Sequence, residues 1–134
     1  MQSLKKPPII LEIGSGYGLL VDYIQKKILV EKYFHLEMNL SLKNELKSRG
    51  QLNLDSVDKL AYTDVVIMSH VLEHIQDGKK FLEDLVSRYP HAQIILYQTN
   101  YKGIIPKYFP LIWYGWFLDQ HYYHFTPKSL GVFF

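Results

Sequence analysis

LEIGSGYG, residues 11–18, places three glycines on alternate positions directly behind a short apolar run. Glycine weakens both strands and helices, so three of them this close together need a backbone reason: a tight turn, the close approach of a ligand, or both. Upstream, IILEI at 9–13 has the length and composition of a buried strand. Downstream, LLVDYIQKKI from Leu19 carries apolar residues at helical spacing. A strand that ends in a glycine turn and feeds a helix leaves backbone N–H groups free and lets a ligand reach the main chain. Such loops serve a nicotinamide dinucleotide, a phosphate or a sulfonium cofactor, or they simply turn. The dinucleotide fingerprint spaces its glycines G-x-G-x-x-G, whereas Gly14, Gly16 and Gly18 are evenly spaced and Leu19 follows, which disfavours NAD(P) and an oxidoreductase domain. A P-loop ends Gly-Lys-Ser/Thr; this loop ends Gly-Leu-Leu and is not one.

The rest of the chain extends the same alternation. YFHLE at 33–37 reads as a second strand, SLKNELKSR at 41–49 as a polar helix closed by Gly50, and QLNL at 51–54 as a short third strand. DVVIMS at 64–69 is the clearest buried strand, a helix is expected from Asp77 to Arg88, and AQIILYQ at 92–98 supplies a fifth strand. Ile-, Val- and Leu-rich strands alternating with helices predict an α/β three-layer sandwich around a mostly parallel, Rossmann-like sheet. The 134 residues are expected to form a single domain, 1–134. From Tyr97 to Phe125 aromatic residues, His and Pro dominate, and within this stretch residues 101–125 are expected to face an acceptor. Thr126 then offers a helix N-cap with Pro127 at the first helical position. An open sheet of this kind normally continues beyond such a helix, so the last C-terminal strands are expected to be missing and the fifth strand to present an edge.

Composition narrows the classes. Fifteen basic and thirteen acidic side chains leave a net charge of +2 without any block of like charge, so a nucleic-acid partner is not expected. The absence of cysteine removes disulfides, thiolate zinc sites and thiol nucleophiles. MQSLKKPPII lacks the apolar length and cleavage region of a signal peptide, and YFPLIWYGWFL at 108–118 is too short and too broken by Pro110 and Gly115 to cross a bilayer. No transmembrane segment and a cytoplasmic location are the resulting expectations.

Glu12-x-Gly-x-Gly-x-Gly18, together with an acidic residue at the tip of the next strand, Glu37, resembles the class I S-adenosylmethionine-dependent methyltransferases. LDSVDKLAYTDVVIMSHVLEHIQD resembles the third and fourth strand region of that family, QTN at 98–100 the segment bordering its transfer site, and HYYHFTPKSL the step into its next helix. The likeness runs from about Ile9 to Leu130, although YPHA at 89–92 stands where the family commonly has Pro-Gly-Gly. It implies S-adenosyl-L-methionine as cofactor. The loop residues Glu12, Gly14, Ser15, Gly16 and Gly18 would wrap its methionine part, and Glu37, with Met38 beside it, would accept both ribose hydroxyls. A carboxylate suits that role because it accepts two charge-assisted O–H bonds. Asp55 and Ser56 would contact the adenine, with Asp58 in reserve, and Ser69 and His70 would close the set behind the fourth strand. A truncated or degenerate methyltransferase fold acting as a non-catalytic binding module is the alternative.

Transfer of an activated methyl group demands alignment and, for a poor nucleophile, removal of a proton. His70 and His124 are the candidate catalytic side chains. No metal is expected, but if SHVLEHI is helical, His70, Glu73 and His74 share one face. That element also resembles the Glu-x-x-Glu-His metal site of the small-RNA 3′-terminal 2′-O-methyltransferases and of some quinone-pathway O-methyltransferases, with His70 in place of the first Glu. Glu73 and His74 are therefore the alternative metal ligands. His121 and His124 flank two tyrosines and are read first as packing. Trp113, Tyr114, Trp116 and Phe117 suit an acceptor wall, a lid, a dimer contact or a peripheral membrane contact within 108–118. The acceptor expected is a small molecule, a lipid-linked intermediate or a glycan precursor, with oxygen favoured as the methylated atom.

Overall fold

A computed structural model describes residues 6–113, 116 and 120–133 of the chain. Tyr114 and Phe117, two of the aromatic residues named above, lie outside the described residues. The strands are β1 (Ile9–Ile13), β2 (Lys32–Leu36), β3 (Leu52–Leu54), β4 (Val65–Ser69) and β5 (Gln93–Tyr97). They form one five-stranded parallel sheet in the order β3-β2-β1-β4-β5. Between and after them come α1 (Leu19–Gln25), α2 (Leu40–Ser48), α3 (Gly78–Arg88), α4 (Ile104–Tyr108) and α5 (Pro127–Leu130). The expected α/β architecture with a parallel sheet is thus observed, and each strand starts and stops within a residue of its expected bounds.

The chain divides into two compact units. The first, Met1–Ser69 with Tyr89–Leu96, contains the sheet. Its register sets Ile10 beside Tyr33 and Val65, and Glu12 beside His35 and Ile67. Alternation along each strand therefore puts Ile10, Tyr33, Val65 and Ile67 on one face, where they pack with Val21, Leu20 and Ile24 of α1 and with Val30. Leu11, Val66 and Met68 point to the other face and are fully buried. Burial of both faces is what makes β4 continuously apolar from Val65 to Met68. β5 differs: its residues alternate between half-buried and exposed, as suits a sheet edge. Helix α1 stops at Gln25, earlier than its apolar pattern suggests, and the chain tightens there, the Lys27 amide bonding the Ile24 carbonyl three residues back at 2.9 Å.

The second unit comprises His70–Arg88 and Tyr97–Phe134. Helix α3 buries Gly78, Leu82 and Leu85 at helical spacing, and the Asp77 side chain accepts the Lys80 amide at its start. Among the described residues of this unit, Trp113 and Phe125 are the buried aromatics. A bridge between Asn100 and Phe125, a Tyr122 N–H bond to the Glu73 carbonyl (2.7 Å) and a Tyr123 hydroxyl bond to the Gln76 carbonyl (2.6 Å) hold the aromatic segment. Thr126 caps α5 as its sequence predicts, in a reciprocal capping box with Ser129 and with Pro127 following. Among the described residues no helix is long and apolar enough to cross a membrane.

Candidate cofactor loop and histidine cluster

In the sheet-bearing unit the glycine loop leaves β1 and enters α1 with Gly14, Gly16 and Gly18 all at positive φ (71°, 53° and 71°). L-residues with a Cβ rarely adopt that conformation, and this accounts for the alternate glycines. The Gly14 amide bonds the Leu36 carbonyl at 2.8 Å, tying the loop to the end of β2, and the Ser15 hydroxyl turns back to the Glu12 carbonyl at 3.2 Å. Gly18 is also crowded: a Cβ there would stand 2.6 Å from a methyl of the fully buried Leu46 in α2. Beside Gly16 the space is open, since a Cβ would meet nothing within 4 Å.

Glu37, one residue beyond β2, fixes this loop. One carboxylate oxygen accepts the Gly16 amide and the other the Asn39 amide, each at 2.8 Å. Each oxygen keeps a further lone pair, so a diol approaching Gly16 would meet an oriented acceptor. Met38 next to it is 83% exposed. This donor and acceptor set fits a ribose-bearing cofactor laid against the loop. Sequence reading missed Arg49, which chelates Asp22 of α1 through two 2.6 Å bonds and donates to the Tyr17 carbonyl at 2.7 Å. No motif marks it, because it serves the loop through a backbone carbonyl from the far end of α2.

Glu12 sits differently from the other loop residues. It is 3% exposed, accepts the Tyr33 hydroxyl at 3.0 Å and lies 3.7 Å from His35 Nδ1. Burial raises its carboxyl pKa from 4.5 to about 7, partly offset by the bonds from Tyr33 and Ser15, while the charge of Glu37 adds to the rise. Burial pushes Tyr33 up as well, and holds the imidazole of His35 below its ordinary value, although the Gln51 bond works the other way. Glu12 is thus a buried brace under the loop.

Asp55, just past β3, is paired with Lys43 of α2 at 2.5 Å, and that ammonium lowers its pKa. Ser56 caps the following 3₁₀ turn by accepting the Asp58 amide at 3.1 Å, and its hydroxyl donates to the Asp58 carboxylate at 3.0 Å. Both candidates for the adenine contact are at a strand end, where ligands bind in open parallel sheets. Ser69 ends β4 and His70 follows it.

In the second unit His70 has φ 55°, an uncommon conformation for a non-glycine residue, and its amide bonds the Tyr97 carbonyl at 2.9 Å. SHVLEHI does not continue as an α-helix: only Leu72–His74 form a 3₁₀ turn. His70, Glu73 and His74 therefore do not line one helical face. His70 Nδ1 stays 3.4 Å from Glu73 Oε1, whereas His74 turns its ring to His121, with centroids 4.6 Å apart. Glu73, His74 and His121 present ligand atoms that all lie within 4.8 Å of one another. His124 packs against Trp116 and Trp113, and its Nε2 is 3.0 Å from the Trp116 carbonyl. Gln98, in the QTN segment, is half-buried, and its two amide atoms are buried with no bond among the described residues.

Comparison with known proteins accords with this arrangement. A family model described as a methyltransferase domain matches residues 1–134. A SAM-dependent methyltransferase from Archaeoglobus fulgidus superposes on 96% of this chain and 59% of its own, with a TM-score of 0.72 and 18% identity. The plantazolicin methyltransferase BpumL in complex with SAH matches 64% of this chain and 37% of its own (TM-score 0.54, 18% identity). A methyltransferase complexed with the Haloferax volcanii Trm112 methyltransferase activator gives 67% and 42% (TM-score 0.54, 14% identity). The chain spans less than two thirds of the length of each, and at these identities the likeness is one of fold. S-adenosylmethionine is the cofactor that goes with this family. The glycine loop, the parallel sheet and the match along its whole length place the chain in the methyltransferase domain family, with the Rossmann-like fold of the class I enzymes.

Proposed function

We propose that the chain binds S-adenosylmethionine on the glycine loop and presents it to a small-molecule, lipid-linked or glycan-precursor acceptor, with oxygen as the atom methylated. The observation that carries the cofactor reading is the Glu37 carboxylate, which is oriented by two backbone amides and set against the open face of Gly16. When bound, the cofactor supplies a methyl group on cationic sulfur that is already activated for in-line displacement. The protein's task is then alignment and exclusion of water.

In this reading Glu37 holds the ribose diol and Gly14, Ser15, Gly16 and Gly18 receive the amino-acid end. Glu12 braces the turn from below. Met38, Asp55 and Ser56 take the adenine side, Asp55 exchanging part of its contact with Lys43 for the base. Ser69 and His70 close the strand-end set. On the acceptor side, donation of Nε2–H to the Trp116 carbonyl leaves His124 Nδ1 as a hydrogen-bond acceptor for a substrate hydroxyl. Trp113 and Trp116 supply an apolar wall beside it. Tyr108, Phe109, Leu111 and Ile112 are exposed and form the proposed contact with a lipid surface or a second copy.

Calorimetry with S-adenosylhomocysteine tests the cofactor reading. The chain is expected to bind one equivalent, and Glu37→Gln to weaken binding about tenfold or more, because an amide cannot accept both hydroxyls at full charge. Absence of binding to the unaltered chain overturns the proposal, and an increase of NADH fluorescence on mixing would replace it with a dinucleotide site.

A further inference from the structure

Glu73 is the most anomalous polar group of the second unit. It is 1% exposed, and no hydrogen-bond donor among the described residues reaches either carboxylate oxygen. A buried carboxylate left this way is costly, and proteins resolve it by pairing the charge or by coordinating a metal. Its nearest ionic neighbour is His70 Nδ1 at 3.4 Å, beyond a good hydrogen bond. Among the described residues, the rings of His74 and His121 also bring nitrogen atoms close to it.

His74 carries the second observation. Its Nδ1 lies 3.0 Å from the Gln120 carbonyl, which can only accept, so Nδ1 bears the proton and Nε2 presents a bare lone pair. Metal-bound histidines are commonly held in this way, with the second ring nitrogen donated to a backbone carbonyl. The segment bringing His121 is pinned on its other side by the Tyr122 amide bond to the Glu73 carbonyl itself, at 2.7 Å. Two residues of one 3₁₀ turn and one from far along the chain are therefore tied together by the Tyr122–Glu73 backbone bond and by the His74 ring on the Gln120 carbonyl.

The geometry points to a divalent-metal site formed by Glu73, His74 and His121. It does not depend on the cofactor reading, since all three residues and their supports belong to the second unit. Ligands about 2.1 Å from an ion stand at most about 4.2 Å apart. The present spread of up to 4.8 Å closes with small rotations of the exposed His74 ring and the half-buried His121 ring. Two imidazoles and one carboxylate suit an ion of borderline softness such as Zn²⁺ or Co²⁺ over Mg²⁺ or Ca²⁺, which favour all-oxygen sites. Three protein ligands leave the remaining positions to water or an oxygen ligand, and the exposure of His74 provides the way in.

The test is titration of the chelator-treated chain with Co²⁺, followed by its visible absorption bands, and with Zn²⁺ by calorimetry, using Mg²⁺ as the control. One equivalent of Co²⁺ and Zn²⁺ is expected to bind, with no competition from a hundredfold excess of Mg²⁺. His121→Asn, at the rim, is expected to keep the native circular dichroism and to weaken Zn²⁺ binding at least tenfold, and Glu73→Gln to do the same if it folds. Nitrogen NMR of the unaltered chain supplies a readout free of any variant: Zn²⁺ is expected to move the Nε2 resonance of His74 while Nδ1 stays protonated. Failure of the unaltered chain to bind Zn²⁺ or Co²⁺ overturns the site. So does binding left intact by His121→Asn, or a metal shift confined to His35 and His91.

Discussion

Glu12 is the residue through which pH acts most directly on this fold. A carboxyl whose pKa rises from 4.5 to about 7 on burial favours folding while it stays protonated. Its contribution is complete below pH 4.5, and it is lost as the pH climbs through about 7. Fully ionised, the difference amounts to roughly 3 kcal/mol. The groups facing it are Tyr33 and His35 on β2, with Glu37 acting at longer range. His35 has the opposite sign: its lowered pKa means that it costs stability when pH falls, not when it rises. Comparing wild type with Glu12→Gln isolates the carboxyl, because the amide keeps an oxygen for the Tyr33 hydroxyl and does not ionise. Denaturant unfolding is expected to show the advantage of the Gln variant over wild type growing by roughly 2–3 kcal/mol between pH 5 and pH 8.5. A constant difference across that range would show that Glu12 is not the titrating group.

At the level of elements, the glycine loop and α2 are fitted to each other, and two glycines separate shape from backbone conformation. Gly18 and Gly50 share a positive φ, 71° and 76°. Only at Gly18 would a methyl collide, 2.6 Å from Leu46, while at Gly50 it meets nothing within 4 Å. Gly50→Ala is expected to cost about 1–2 kcal/mol for the left-handed backbone alone, and Gly18→Ala about 1–3 kcal/mol more from overpacking against α2. Chemical denaturation of the two variants measures that gap, and equal losses would mean that Leu46 moves aside freely. The same elements show what a sequence can disclose. Strands β1, β4 and β5 were legible because Ile- and Val-rich runs alternating with helical patterns are solved by a parallel sheet, and β2 and β3 as the short apolar stretches between those helices. The capping box at Thr126 was legible because it is chemistry between neighbours in sequence. Glu37 was legible as a residue at a strand tip, but its bonds to Gly16 and Asn39 were not, and Arg49 was invisible because it acts across 32 residues on a carbonyl. The His70–His74 stretch misled the helical reading, since the left-handed His70 breaks the spacing on which a shared face depends.

For the molecule as a whole, charge and exposed apolar surface act in the same direction. A net charge of +2 on 134 residues gives little mutual repulsion. Against that, Ile104, Leu111 and Ile112 are 76%, 99% and 77% exposed, with Tyr108 and Phe109 beside them. Lys102 and Lys107 are the only charged side chains between Arg88 and Asp119. Large apolar groups grouped this closely on a weakly charged chain favour association with another surface. Sedimentation velocity is expected to show self-association that rises with concentration and strengthens with salt, because salt screens the lysines while leaving apolar burial intact. Leu111→Lys combined with Ile112→Lys adds two charges where the wild type has none, on side chains already in solvent, so folding should be unaffected and association should fall about tenfold or more. Vesicles containing anionic lipid separate the remaining alternative: if they bind the wild type while sedimentation shows a monomer at every concentration, the patch is a lipid contact and self-association is excluded. A monomer that ignores vesicles, or a double variant that associates like the wild type, would remove the 104–112 surface as the cause.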